Sequence, residues 1–136
     1  TSRREQITLQ SAKSIAEYFM EQLRHETQEH LMLAMFDNKS MLIGEKLLST
    51  GTSNAALISA RDIYRTALQY QAAYVVVLHN HPSGNPEPSR EDILVTRKIK
   101  ACGELLDILL MDHIIIGDNR YFSFREQDIL FEKGRD

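Results

Sequence analysis

The stretch from Ala72 to His79, AAYVVVLH, constrains the fold more than any other part of the chain. It is β-branched and apolar almost throughout, which marks a central strand buried on both faces; a half-exposed strand would alternate apolar with polar residues. Such a strand needs cover on two sides, and the neighbouring sequence can supply it. Ser11 offers an N-cap for SAKSIAEYFMEQLRH, in which Ile15, Phe19 and Leu23 recur every four residues, so this segment reads as an amphipathic helix. ARDIYRTALQYQ reads as a second helix, with Ile63, Ala67 and Tyr70 at helical spacing. Between them HLMLAMF, stopped by Asp37-Asn38-Lys39-Ser40 and followed by MLIGEKLLSTG, reads as a hairpin, and Asn54 to Ile58 as a short extended piece.

Beyond His79 the pattern breaks. Asn80 to Ser89 holds all three prolines of the chain, so it forms a loop rather than a helix or strand. Ser89 then opens the helical segment SREDILVTRKIKACGELLDI, with Ile93, Ile99, Leu105 and Leu106 expected toward one side. LLMDHIIIGD and RYFSFRE follow as a strand pair joined at Gly117-Asp118-Asn119, and a final short helix is expected from Gln127 to Glu132. This order implies one α/β domain over residues 1–136, a mixed β-sheet flanked by helices.

Composition narrows the functional classes. Cys102 is the one cysteine, so no intramolecular disulfide and no cysteine-rich zinc finger is available, and a metal must take nitrogen and oxygen ligands. The formal net charge of −3 lacks the basic footprint of a non-specific nucleic-acid binder. No apolar run is long enough to cross a bilayer and no signal-peptide pattern is visible, which gives the expectation of a cytoplasmic protein without membrane association. The chain begins at Thr1 rather than Met, so an upstream domain is expected to precede it.

The chemistry concentrates around the proline-rich loop. His79 and His81 stand at i and i+2 at a strand end, and extended backbone points both side chains the same way. Asp92 falls in the first turn of the helix opened by Ser89, so the loop folds a carboxylate back onto the imidazole pair. Three protein ligands with water in the fourth place is the usual catalytic zinc arrangement, and such a water has its pKa lowered to about 7. A base is also needed; Glu29, at the start of HLMLAMF, is the candidate, although composition does not choose it over Glu45 or Glu87.

The string His79-Asn80-His81-Pro82-Ser83-Gly84, followed by Ser89-x-x-Asp92, resembles the JAMM (MPN+) metalloprotease motif, a His-x-His pair with downstream Ser and Asp and an upstream Glu. The longer wording HNHPSGNPEPSREDI, with LLDILLMDHIIIG after it, is similar to the RadC family of bacterial proteins, from about Glu29 to Arg125. The resemblance implies a JAB/MPN fold akin to that of the cytidine deaminases. It further implies one Zn2+ per chain on His79, His81 and Asp92, with Glu29 as general acid/base and Ser89 stabilising an oxyanion. The implied activity is metallopeptidase or isopeptidase hydrolysis of an unidentified peptide or protein substrate. RadC-like chains usually carry an N-terminal helical segment similar to helix-hairpin-helix modules, and the family name refers to DNA repair. The alternative is therefore a non-catalytic binding module in a repair or recombination assembly.

Several residues have plainer readings. Ser89 and Asp92 also suit a helix N-cap. His113 reads as a satisfied core histidine or a partner behind a ligand rather than a ligand itself. Asn80 is a candidate for orienting substrate or the loop, and Cys102 reads as a small packing residue. Arg90, Arg97, Lys98 and Lys100 read as a solvated helix face. The edge segment RYFSFRE has free backbone for pairing with a peptide or a second subunit.

Overall fold

In a computed structural model that describes residues 11–50 and 59–131, the apolar stretch forms the central strand of a five-stranded sheet. The order is β2 (Leu42–Thr50), β1 (His30–Phe36), β3 (Tyr74–Asn80), β4 (Leu109–Ile116) and β5 (Tyr121–Ser123). β3 runs antiparallel to β1 and parallel to β4, so the sheet is mixed. Val75, Val76, Val77 and Leu78 are all essentially inaccessible, as the two-faced burial of β3 requires. The segment from Asn54 to Ile58 lies outside the described residues.

Helices cover both faces. On one side α1 (Ala12–Leu23) packs Ile15, Phe19 and Leu23 against the face that carries Val76 and Leu78. On the other, α2 (Ala60–Gln69) and α3 (Arg90–Leu106) cover the face of Val75 and Val77 through Ile63, Ala67 and Ile99. Each helix begins at a serine whose hydroxyl accepts the N–H three residues on: Ser11 from Ser14, Ser59 from Asp62, Ser89 from Asp92. Such caps contribute about 1 kcal/mol each and fix where the first turn starts. Gly103 lets α3 approach closely, because a Cβ there would collide with the Ile108 carbonyl and the Tyr64 hydroxyl. The hairpin turn is held by Asp37, whose Oδ1 accepts from the N–H groups of Lys39 (2.9 Å) and Met41 (3.0 Å).

Two expectations from the sequence are corrected. Leu105 and Leu106 do not face the core: they are 86% and 47% exposed, and the buried stripe of α3 is Asp92, Thr96, Ile99 and Gly103. Leu105 lies roughly 220° around the helix from Asp92 at 100° per residue, and Leu106 is the last helical residue before left-handed Asp107 (φ 58°) turns the chain away. The expected helix from Gln127 is also absent over the described residues 127–131. Left-handed φ angles at Asp128 (55°) and Leu130 (68°) interrupt any helical run, while Phe124 and Phe131 still reach the core. Among the described residues no helix is long and apolar enough to cross a membrane.

The β3–β4 ladder contains one irregularity that matters for the site. Val75 pairs with Leu110 but Val76 pairs with Asp112, so Met111 is an extra residue. This bulge reverses the facing of everything after it. His113, partnered with Val77, therefore joins the α3 side of the sheet in place of Asp112.

Candidate metal centre

The site lies at the carboxyl end of the parallel pair β3 and β4, where open α/β sheets place their ligands. His79 shares the face of Val75 and Val77 and is 1% exposed. The His81 N–H donates to the Ile116 carbonyl at 2.9 Å, continuing the ladder, so the two imidazoles do stand on one side. Their Nε2 atoms approach to 3.1 Å. His81 Nδ1 is 3.0 Å from the Asn85 carbonyl, which can only accept, so Nδ1 carries the proton and a neutral ring leaves its Nε2 lone pair facing His79. A lone pair that close to a second imidazole nitrogen needs a cation or a proton between the two.

Asp92 arrives from α3 as expected. Its Oδ1 is 3.4 Å from His79 Nε2 and its Oδ2 is 3.2 Å from His81 Nε2. The carboxylate is aimed by a capping box, in which Oδ2 accepts the Ser89 N–H (2.8 Å) and Ser89 Oγ accepts the Asp92 N–H (3.0 Å). Burial opposes its ionisation, but the adjoining His79 and His81 imidazoles, which a negative carboxylate favours in their protonated form, outweigh that and hold it far below the usual carboxylate range. His81 shows the reciprocal effect: burial works against its charge, yet the bonds to Asp92 and Asn85 raise its pKa.

Glu29 comes from the opposite side. Leu31 pairs with His79 in the antiparallel β1–β3 ladder, and extending that register by two places Glu29 across from His81. Its Oε1 is 3.7 Å from His79 Nε2 and its side chain is 11% exposed. Burial pushes its carboxyl up, against the lowering influence of His79 and His81. Asn80, read from sequence as orienting substrate or loop, brackets this residue. Its Oδ1 accepts the His30 N–H at 2.7 Å and its Nδ2 donates to the Gln28 carbonyl at 3.0 Å.

The donor atoms fit a small tetrahedral cation. With Zn–N near 2.0–2.1 Å, two tetrahedral ligand atoms lie about 3.4 Å apart. The two Nε2 atoms, 3.1 Å apart, are close to that spacing, and Asp92 faces them with one oxygen toward each ring, Oδ1 3.4 Å from His79 and Oδ2 3.2 Å from His81. Glu29, His79 and His81 also each offer a donor atom within 4.8 Å of the others, so a His, His and Glu set is a second geometry of the same pocket. Glu45 lies on β2 and Glu87 in the exposed loop, and neither belongs to this cluster.

The loop that carries Asp92 inward is pinned. The Gly84 carbonyl accepts from the Asp118 N–H at 2.9 Å and from Arg120 Nη2 at 3.2 Å, tying the loop to the β4–β5 turn. Gly84 has φ +90°, and a Cβ on Gly117 would strike the Gly84 carbonyl, so both positions need glycine.

Two polar residues lie buried behind His79. His113 Nε2 is 2.7 Å from His79 Nδ1, with the ring stacked on Phe124 at a 4.8 Å centroid distance. Burial first, and then the proximity of His79, lowers its pKa well below the ordinary value. This is the partner role read for it from sequence. Thr96 sits on His113 Nδ1 at 2.5 Å, and sequence reading missed it. The available signal was the i, i+4 spacing of Asp92 and Thr96, two polar residues on the helix side shared by Ile99. Cys102 is half-buried, and Arg90, Arg97 and Lys98 are exposed as a solvated face.

A three-layer α/β domain with two histidines and two carboxylates gathered at the end of its parallel strand pair defines the class: a fold of JAB/MPN type with a candidate metal site. The sequence profile of the RadC-like JAB domain matches residues 9–129, and the chain belongs to that family. JAB-type domains include metal-dependent hydrolases. The chain is 42% identical over 125 residues to the UPF0758 protein of Clostridium perfringens, covering 92% of this chain and 55% of that one. It is 39% identical over 123 residues to UPF0758 protein SH1266 of Staphylococcus haemolyticus, covering 90% and 54%. Over 120 residues it is 38% identical to UPF0758 protein BCB4264_A4572 of Bacillus cereus, covering 88% and 53%. The chain thus spans about half the length of the curated relatives it matches.

Proposed function

We propose that this domain is a zinc-dependent hydrolase of metallopeptidase or isopeptidase type, with His79, His81 and Asp92 as ligands and Glu29 as general acid/base. The supporting observation is the convergence of two imidazole Nε2 atoms, 3.1 Å apart, with the Asp92 carboxylate turned toward both rings and Glu29 across from them. Bound zinc supplies a Lewis acid that lowers the pKa of a water to about 7 and polarises a carbonyl. Glu29, its carboxyl raised by burial, accepts the proton of the attacking water and carries it to the departing amine nitrogen. Ser89 Oγ is already an acceptor for the Asp92 N–H, so its own proton is free to donate to the carbonyl oxygen as charge develops there. Asn80 keeps Glu29 in place by bonding the backbone on either side of it.

The test is metal content by mass spectrometry on protein purified without chelator, paired with cleavage of a peptide and isopeptide library. Wild type is expected to hold one zinc per chain and Asp92→Ala none, with Glu29→Gln keeping zinc but losing turnover. Loss of zinc from Glu29→Gln together with its retention in Asp92→Ala would favour the His, His and Glu ligand set. Absence of metal from wild type even after zinc is added would replace the hydrolase reading with that of a binding module.

A further inference from the structure

We propose that Thr96 and His113 are positioning residues that dictate the tautomer of His79, through a one-way chain of hydrogen-bond donors anchored on a backbone carbonyl. The chain is read from its far end. Thr96 Oγ1 lies 2.6 Å from the Asp92 carbonyl oxygen and 2.5 Å from His113 Nδ1. A carbonyl oxygen only accepts, and a hydroxyl has one proton, so that proton goes to Asp92. Thr96 Oγ1 is then an acceptor toward His113, whose Nδ1 must carry hydrogen.

His113 is fully buried, and its two nitrogens face Thr96 and His79, neither of which is a counter-charge. Burying an unpaired imidazolium is costly, so the ring is neutral and its Nε2 holds a lone pair. That lone pair lies 2.7 Å from His79 Nδ1, which therefore carries the hydrogen of that bond. In neutral His79 the remaining nitrogen, Nε2, then carries the lone pair, pointing at His81, Asp92 and Glu29. No step can reverse while Thr96 stays on the Asp92 carbonyl.

His81 reaches the same tautomer by one step, from Nδ1 to the Asn85 carbonyl. The two imidazoles are thus preset for one cation by two acceptor-only groups. The bulge at Met111 makes the longer chain possible, because it turns His113 rather than Asp112 toward His79. Phe124, stacked on His113 with ring planes 3° apart, restricts the tilt of the relay ring. The same hydroxyl that orders the relay bonds the backbone of Asp92, so Thr96 couples the placement of the carboxylate to the protonation of the histidine.

The consequence for metal affinity rests on the hydrolase reading above, whereas the tautomers can be read without metal. Long-range 1H–15N correlation spectra of chelator-treated, 15N-labelled protein report which nitrogen of each imidazole is protonated. Nδ1–H is expected for both His79 and His113. Thr96→Val should lose the defined His113 signature and weaken zinc binding roughly ten- to a hundredfold, and Thr96→Ser should restore both. An Nε2–H tautomer at either ring in wild type overturns the proposal, as does a folded Thr96→Val protein that binds zinc as tightly as wild type. If Thr96→Val fails to fold, the wild-type spectrum and Thr96→Ser still decide. Wild-type protein with the expected tautomers and no affinity for zinc would remove the metal reading and leave the donor chain standing.

Discussion

Asp92 and Asp112 are both buried, 1% and 3% exposed, yet their surroundings push them in opposite directions. Asp92 meets two imidazoles and one backbone N–H, and its carboxyl is held far below the ordinary range. Asp112 meets the His113 and Arg125 N–H groups, at 2.8 and 3.0 Å, and the Ser123 hydroxyl at 2.5 Å. Burial outweighs those donors and pushes its carboxyl up to about 6. The Arg125 guanidinium offsets this only in small part, since its Nε donates to the Met111 carbonyl and the group lies over the Phe131 ring. One carboxylate is therefore kept charged beside groups able to share a cation, while the other latches the β4 bulge to the segment after β5. The difference lies in chargeable partners rather than in depth.

The largest effect that sharpens this contrast is expected from Asp112→Ala. It leaves two N–H groups and a hydroxyl without their acceptor in the interior, and denaturant unfolding should show a loss of about 3 kcal/mol or more. Zinc per folded chain should be unchanged; a loss below about 1 kcal/mol would break the latch reading. Next comes pH. In metal-free protein the native Asp112 holds its proton to about 6, against 3.8 in the unfolded chain, so the native state binds more protons between those values. Stability due to this group is full below pH 3.8 and falls by about 3 kcal/mol as pH rises through 6. Asp92 has the opposite sign, contributing fully above its unfolded value of 3.8 and losing that contribution as pH falls toward its native value. Unfolding curves against pH should therefore flatten between 3.8 and 6 for Asp112→Asn and below 3.8 for Asp92→Asn.

At neutral pH without metal, Asp92→Asn should keep the capping bond, because the amide oxygen can still accept the Ser89 N–H, but should lose about 2 kcal/mol that the charged carboxylate draws from its partners. It should nonetheless abolish zinc uptake in a titration followed by calorimetry, and retention of tight binding would contradict Asp92 as a ligand. The smallest effect is expected at Leu105. With its side chain 86% exposed, Leu105→Ser should shift stability by under about 0.5 kcal/mol, and a larger loss would mean that this end of α3 is covered.

Much of the fold was legible because its signals are local. The unbroken run of β3, the four-residue spacing of Ile15, Phe19 and Leu23, and the serine caps all act within a turn or two of chain. Where local pattern misled, a tertiary demand intervened. α3 turns Asp92 and Thr96 inward rather than Leu105, and left-handed Asp128 and Leu130 replace a helix with turns that still seat Phe131. The candidate site divides in the same way. His79, His81 and Asp92 could be read from their spacing, whereas Glu29 could be chosen over Glu45 and Glu87 only by resemblance.

Sequence by itself determined the α/β class, the strand that ends in the histidine pair, and the helix start that carries Asp92, because side-chain period and capping chemistry are written in neighbouring residues. Only the tertiary structure decided that Glu29 lies across from His81, that Asn80 holds it there, and that His113 and Thr96 stand behind His79. These relations depend on strand register and on a one-residue bulge. A shift of one residue exchanges the two faces of a strand, and nothing in the local sequence of β4 distinguishes the face of Asp112 from that of His113.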